Sequence, residues 1–258
     1  LMANVHWHSQ DRSVFQDDDL LGHFEEERYQ AKVGLQRLLG NWGSARFGYG
    51  YERIVIPTDD LLFGGVSDDG SHLWVDLLVD TRDKSFLTQH GSSASLDVKR
   101  VLSPSRATHW LASGSHFVTP RKDWTLGLKG AWGTVSSGAP GYDHISVGGA
   151  GYFSTGSVDF AGTQRDAFRT RHLALGGVLI RKSFGEPFVE ALRDFAVGGF
   201  YQAGRVDAPS GSNSGYAWVH GLGVGLYLDR RFTGPIRFEV TGSNHDPLLV
   251  FASVGYAF

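Results

Sequence analysis

Ser243, Asn244, His245 and Asp246 stand side by side in "GSNHD", and they are the residue types of a hydrolase: a hydroxyl nucleophile, an imidazole base and a carboxylate to orient it. A triad needs those groups to converge in space, each within hydrogen-bond reach of the next. Four neighbours on one turn point in different directions, so the run reads as a polar turn that bonds its own backbone. The eleven histidines offer a second chemistry. In "HWH", His6 and His8 share one face of an extended segment, about 6.6 Å apart along it, which two metal ligands could use. No acid or cysteine nearby completes that set, and the pair reads as solvated. "GSNSG" puts Asn213 where a Gly-x-Ser-x-Gly nucleophile elbow carries its serine. The Gly-rich "GGAGYFSTG" and "HGLGVGLYL" lack the helix that follows a phosphate loop, and glycine inside strands permits bends and close packing. The acidic "QDDDLLGHFEEE" has the charge to gather divalent cations and reads as a solvated loop leading into a strand. No catalytic residue, metal ligand or cofactor site emerges from these stretches.

The elements around them repeat every two residues. In "ERYQAKVGLQRLLG", Tyr29, Ala31, Val33 and Leu35 share a face opposite Gln30, Lys32 and Gln36. In "GSARFGYGYERIV", Ala45, Phe47, Tyr49 and Tyr51 oppose Arg46 and Glu52; in "HLWVDLLVDTRD", Leu73, Val75, Leu77 and Val79 oppose Asp76 and Asp80. In "DWTLGLKGAWGT", Trp124, Leu126, Leu128 and Trp132 oppose Lys129, with aromatics near both ends, as interfacial girdles have. An oily face backed by a charged one predicts strands between lipid and a polar lumen. Further strands are predicted at 92–102 and 108–118, in "HISVGGAGYF", "TRHLALGGVLIRKSF", "EALRDFAVGGFYQAG", "GYAWVHGLGVGLYLD" and "GPIRFEVTG", and in the terminal "VFASVGYAF". That gives about twelve, with an extra strand allowed at Ala3, Val5 and Trp7. Short connections alternate with longer ones at 54–70, 136–143 and 205–214, the rhythm of turns on one side of a membrane and outer loops on the other. The expected fold is an all-β, transmembrane antiparallel β-barrel over residues 27–258. It is preceded by an N-terminal segment, 1–26, holding a partial strand and the acidic loop.

Composition agrees. No apolar run reaches the roughly 18 residues a spanning helix needs. Barrel walls alternate, so their mean hydropathy looks unremarkable; here it is −0.18. A formal charge of −3 carries no basic excess and points away from nucleic acid. Cysteine is absent, and the start "LMANVHWHSQ" has neither the basic nor the apolar region of a signal peptide.

Three stretches carry a family resemblance. The end of the chain, with Val250, Ala252, Val254, Tyr256 and the final Phe258 on one parity, resembles the signal that hands bacterial outer-membrane proteins to their assembly machinery. "VDTRDKSFLTQHGS" and "RRFTGPIRFEV" resemble two motifs of the bacterial surface antigen superfamily, to which BamA and TamA belong. Within it, "NWGSARFGYG", "FAGTQRDAFRTRHLALGGVLIRKSF" and "FYQAG" are most similar to the C-terminal barrel of bacterial patatin-like phospholipases.

The resemblance implies a bacterial outer-membrane location, contact with outer-membrane lipids and lipopolysaccharide, passage through the assembly machinery, and a secreted passenger or an envelope complex as partner. It also implies an inward loop at Ala161, Gly162, Thr163 and Gln164, with Gln202 as its partner on the wall. The superfamily's Arg-Gly-aromatic motif keeps only Gly162 here, and its wall aspartate is Gln202. Losing both charges together is physically consistent, because either one left buried alone costs about 3–5 kcal/mol. A mechanism that relies on that arginine finds none at this position. Related barrels have sixteen strands, so twelve could form a smaller closed barrel or a portion of a larger one. The expected role is translocator or membrane anchor, with a pore or assembly subunit as the alternative and a lipid hydrolase as the enzymatic one; the patatin catalytic domain itself is not in this sequence.

Overall fold

The computed structural model describes residues 1–16, 19–56, 66–84, 87–103, 106–140, 143–148, 157–163, 168–184, 195–207, 216–228, 236–244, 246 and 248–254. The wall begins with β1 (Met2–Gln16), β2 (Asp19–Leu38), β3 (Gly43–Ile56), β4 (Val66–Asp80), β5 (Gly91–Ser103), β6 (Thr108–Arg121) and β7 (Trp124–Val135). It continues with β11 (His172–Ser183), β12 (Phe195–Asp207), β13 (Tyr216–Leu228), β14 (Ile236–Ser243) and β15 (Leu249–Val254). These form one 12-stranded sheet in sequence order, and every neighbouring pair is antiparallel. Between β7 and β11 the chain leaves the wall and makes β8 (Ile145–Val147), β9 (Ser157–Val158) and β10 (Phe168–Thr170), a separate three-stranded sheet ordered β10-β8-β9. No α-helix occurs among the described residues.

The two-residue period sets the two faces. Outward-facing Tyr29, Val33, Leu35, Phe47, Tyr49, Leu73, Leu126, Leu128, Trp132 and Val250 are exposed, as the alternation requires. Soluble monomers rarely expose contiguous apolar surface beyond a few hundred Å². A wall this oily on nearly every strand is built to face hydrocarbon. On the other face, Lys32, Arg46, Asp76 and Lys129 line one cavity of about 980 Å³, as their parity predicts. Side chains from β1 through β7 and from β11 and β12 share that space, so the sheet curls around it. The architecture is a transmembrane antiparallel β-barrel.

Three expectations are corrected. "HISVGGAGYF" is not a wall strand: only Ile145–Val147 is extended, and it belongs to the inner sheet. Its alternation serves a small sheet that packs on one side, which looks the same in sequence. The wall still has twelve strands because the N-terminal piece supplies a full one, β1, paired with β2 from Met2↔Gly34 to Gln16↔Asp19. The boundary between 26 and 27 therefore falls inside β2, and the described part of the acidic run from Asp19 onward is strand instead of loop; Asp17 and Asp18 lie outside the described residues. Finally, the connection expected as an outer loop at 136–143 ends inside the barrel, where Asp143 lines the lumen.

The lumen is not polar throughout. Where β7, β11, β12 and β13 meet the inner sheet, Val135, Leu173, Val206 and Val219 point inward and pack with Ile145, Val147 and Phe160 in a buried apolar cluster. Phe160 is 1% exposed and Val147 fully buried. Apolar burial at about 25 cal/mol per Å² holds the inner sheet to this part of the wall. Gly148 N–H donates to the Val158 carbonyl at 3.0 Å, and Val135 N–H to that of Arg171 at 2.7 Å, tying the inner segment to itself and to the ends of the strands it joins.

Candidate functional site

The inward segment and the lumen wall it touches form the candidate site. On one side the contact is neutral. Ala161 N–H donates to Gln202 Oε1 at 2.6 Å. Gly177 on the neighbouring strand makes this reach possible, since a Cβ there would lie 2.7 Å from Gln202 Cγ. Gly162 has φ +76° and sits against β14, where a Cβ would come within 2.3 Å of the Gly242 carbonyl carbon. Gly221 on β13 faces the Ala161 carbonyl as closely, since a Cβ there would lie 2.0 Å from its oxygen. The left-handed φ and the backbone-to-backbone approach both require glycine at 162. Thr163 is fully buried, and its hydroxyl donates to the Phe160 carbonyl at 3.1 Å, closing the turn. The structure thus brings Ala161, Gly162 and Thr163 together with Gln202; Gln164 lies outside the described residues.

On the other side the contact is ionic. Asp143 follows a tight turn in which its N–H donates to the Pro140 carbonyl at 2.9 Å. Its Oδ1 lies 3.2 Å from Lys99 Nζ on β5, and its Oδ2 lies 2.8 Å from His109 Nε2 on β6. Lys99 also reaches Glu52 Oε2 on β3 at 2.6 Å, and Glu52 Oε1 accepts from Arg28 Nη1 on β2 at 2.9 Å. Burial pushes the Asp143 carboxyl up, but the His109 hydrogen bond and the charges of Lys99 and His109 outweigh it and hold the group below the usual carboxylate range. The wall alternation marks Glu52 as inward, but nothing in the sequence marks Asp143, which stands in a Gly- and Pro-rich stretch that reads as a loop.

Glycine also shapes the wall between these contacts. A Cβ at Gly34 or Gly48 would lie 2.7 or 2.9 Å from the Trp74 ring, and one at Gly50 would lie 2.4 Å from His72 Nε2. The two large inward side chains of β4 thus lie flat over a glycine floor. Lys32 Nζ stands 5.6 Å from the Trp74 ring centroid, a cation–π distance. At the opposite end of the barrel, Tyr227 donates to Glu239 Oε1 at 2.8 Å, Arg237 pairs with Glu239, and Arg181 donates to the Thr88 carbonyl of the β4–β5 connection. That connection holds the "DTRD" stretch, where Arg82 pairs with Asp80 at 2.7 Å and Asp83 accepts from the backbone of Gln89 and His90. The motif builds a self-bonded turn that reaches under the lumen to β11.

The remaining sequence candidates do not converge. Ser243 Oγ accepts from Asp246 N–H at 2.9 Å, and Asn244 bonds the backbone of His220 and Trp218, so the turn uses its side chains on backbone. His245 lies outside the described residues. His6 lines the cavity, while the side chain of His8 is not among those described. Among the described residues no group of three His, Cys, Asp or Glu side chains could hold a metal ion. Val250, Ala252 and Val254 lie on β15, with Val250 and Ala252 exposed; Tyr256 and Phe258 lie outside the described residues.

No protein-family model matches the chain, and no curated protein matches it. Among solved structures it is similar to BamA from Haemophilus ducreyi lacking POTRA domains 1–3, with a TM-score of 0.73 and 14% sequence identity. The match covers 98% of this chain and 58% of that one, so this chain spans less than two thirds of its neighbour's length. At that identity the likeness is one of fold, an antiparallel β-barrel.

Proposed function

We propose that the chain is the membrane-embedded barrel of a bacterial outer-membrane protein of the surface antigen type, serving as a translocator or anchor and most like the barrel of the patatin-like phospholipases. The observation that carries this reading is the wall itself, apolar outside and charged inside, wrapped around a segment of its own chain held to Gln202. Outer-membrane lipids and lipopolysaccharide cover the outer face. The assembly machinery reads Val250, Ala252, Val254, Tyr256 and Phe258, and a secreted passenger or an envelope complex is the functional partner. The reading includes no catalysis and no nucleic acid; Ser243 is engaged with its own turn. An inner segment bonded to both sides of the lumen favours an anchor or resting translocator over an open pore.

The chain has no cysteine, which allows a clean test. With the protein in intact outer membranes, a membrane-impermeant thiol reagent should label K129C and leave L126C unlabelled. Recovery in the inner membrane or the soluble fraction, or the reverse labelling pattern, overturns the reading. A patatin domain encoded upstream of Leu1 would select the translocator over the pore or assembly subunit.

A further inference from the structure

Asp143 is out of keeping with the segment that carries it. Two residues later the chain enters an apolar cluster through Ile145 and Val147, both buried. An apolar side chain at 143 would have extended that cluster, whereas a buried carboxylate has to be taken out of water and compensated by fixed partners. Exchanging a buried ion pair for apolar groups is often neutral or stabilising, so attachment alone does not explain the charge. One carboxylate oxygen lies 3.2 Å from Lys99 Nζ and the other 2.8 Å from His109 Nε2, with the side chain only 10% exposed.

The lysine and the histidine belong to the wall and the carboxylate does not. Lys99 and His109 stand on β5 and β6, within a hydrogen-bonded ladder. Asp143 sits on a turn closed by a single backbone bond to Pro140. Glu52, the other carboxylate on Lys99, is fixed on β3 and already shared with Arg28. Lys99, His109 and Asp143 all line the 980 Å³ cavity, whose wall carries both signs: Arg28, Lys32 and Lys129 with Glu52, Asp76 and Asp97. Without Asp143, Lys99 and His109 are two neighbouring nitrogen-bearing side chains placed to face the two oxygens of one oxyanion.

We propose that Lys99 and His109 form an oxyanion-binding subsite in the lumen, that Asp143 fills it as an internal ligand, and that a phosphate or carboxylate group entering the cavity displaces Asp143 and frees the first limb of the inward segment. The subsite rests on lumen geometry and does not depend on which membrane holds the barrel or on what it transports. The charge-assisted bond from Lys99, with the His109 imidazole beside the second oxygen, gives it preference for planar or tetrahedral oxyanions over halide.

The test uses the purified barrel in detergent, with folding checked by heat-modifiable gel mobility. Inorganic phosphate, followed by calorimetry, should bind D143N at least tenfold more tightly than wild type, and D143N/K99Q should lose that gain. The same titration with short-chain phosphatidic acid separates the sources: a gain with phosphate supports a free anion as ligand, and a gain with the lipid alone supports the subsite and assigns a headgroup to it. A second measurement leaves Asp143 in place. In an A139C variant, aqueous thiol labelling should rise several-fold as phosphate is added and not with equal chloride. Equal binding by wild type and D143N, a gain that survives K99Q, or A139C labelling indifferent to phosphate overturns the proposal.

Discussion

On β5 and β6 the inward segment is held by charge, through Asp143 on Lys99 and His109; on β12 to β14 it is held by neutral hydrogen bonds at Gln202 and Asp207 and by backbone pressed on backbone. The small sheet of β8, β9 and β10 lies between the two contacts and joins them. The difference separates two kinds of specificity. The ionic contact tolerates small displacements because Coulomb attraction falls slowly with distance, but it answers to whatever else carries charge in the lumen. The neutral contact ignores charge and tolerates almost no displacement, because a methyl group at Gly162 or Gly221 would overlap the facing backbone. One limb is therefore fixed by shape and the other is exchangeable.

The strongest way to break this contrast is at the shape-fixed limb. Gly162→Val adds a branched side chain at φ +76° against Gly242, and should cost about 2–4 kcal/mol from strain and overpacking together. We expect a lower temperature for loss of the folded gel band and a larger single-channel conductance in planar bilayers. Wild-type values for both would mean that the backbone contact is slack and the contrast false.

Gln202→Leu is the next step down. It leaves Ala161 N–H without its acceptor but keeps the glycine contacts, at a cost of about 1–3 kcal/mol. Gln202→Glu retains an acceptor oxygen and should recover much of the loss. If Leu and Glu behave alike in thermal unfolding, the bond to Ala161 contributes nothing and packing alone fixes this limb.

The smallest effect sharpens the ionic side. The Asp143 carboxyl has its pKa depressed in the folded state, so its contribution to stability is fully present above its ordinary, unfolded pKa near 3.9 and is lost only as pH falls through the lower folded value. The difference in melting temperature between wild type and D143N should therefore not fall between pH 7 and pH 5, and should shrink below about pH 4. A difference that vanished by pH 5 would show that Asp143 is not held by Lys99 and His109.

Much of the wall was legible because lipid and water impose opposite demands on alternate residues. Tyr29, Phe47, Leu126 and Val250 face outward and Lys32, Arg46, Asp76 and Lys129 inward, as their parity alone requires. Gly162 and Gln202 were found through a motif, and their meeting is a contact across 41 residues that no local pattern encodes. "HISVGGAGYF" misled because a strand that packs against the inside of a barrel shows the same one-sided alternation as a strand of the wall. Asp143 was illegible for a different reason. A carboxylate in "GAPGYDH" looks like any solvated loop residue until the fold supplies Lys99 and His109, which stand 44 and 34 positions away in a sequence where neither is unusual.

The glycine floor under Trp74 has an optical consequence. Of the seven tryptophans, Trp74 is 3% exposed and the other six are each at least 39% exposed. A quencher dissolved in the hydrocarbon phase reaches the outward indoles of the strands, a water-soluble one reaches Trp42 on the β2–β3 turn, and the two together leave Trp74 emitting, separated from lipid by the thickness of one sheet. The residual fluorescence then belongs to a single ring with Lys32 at 5.6 Å and the cavity beside it, so its wavelength reports events in the lumen without any label having been introduced.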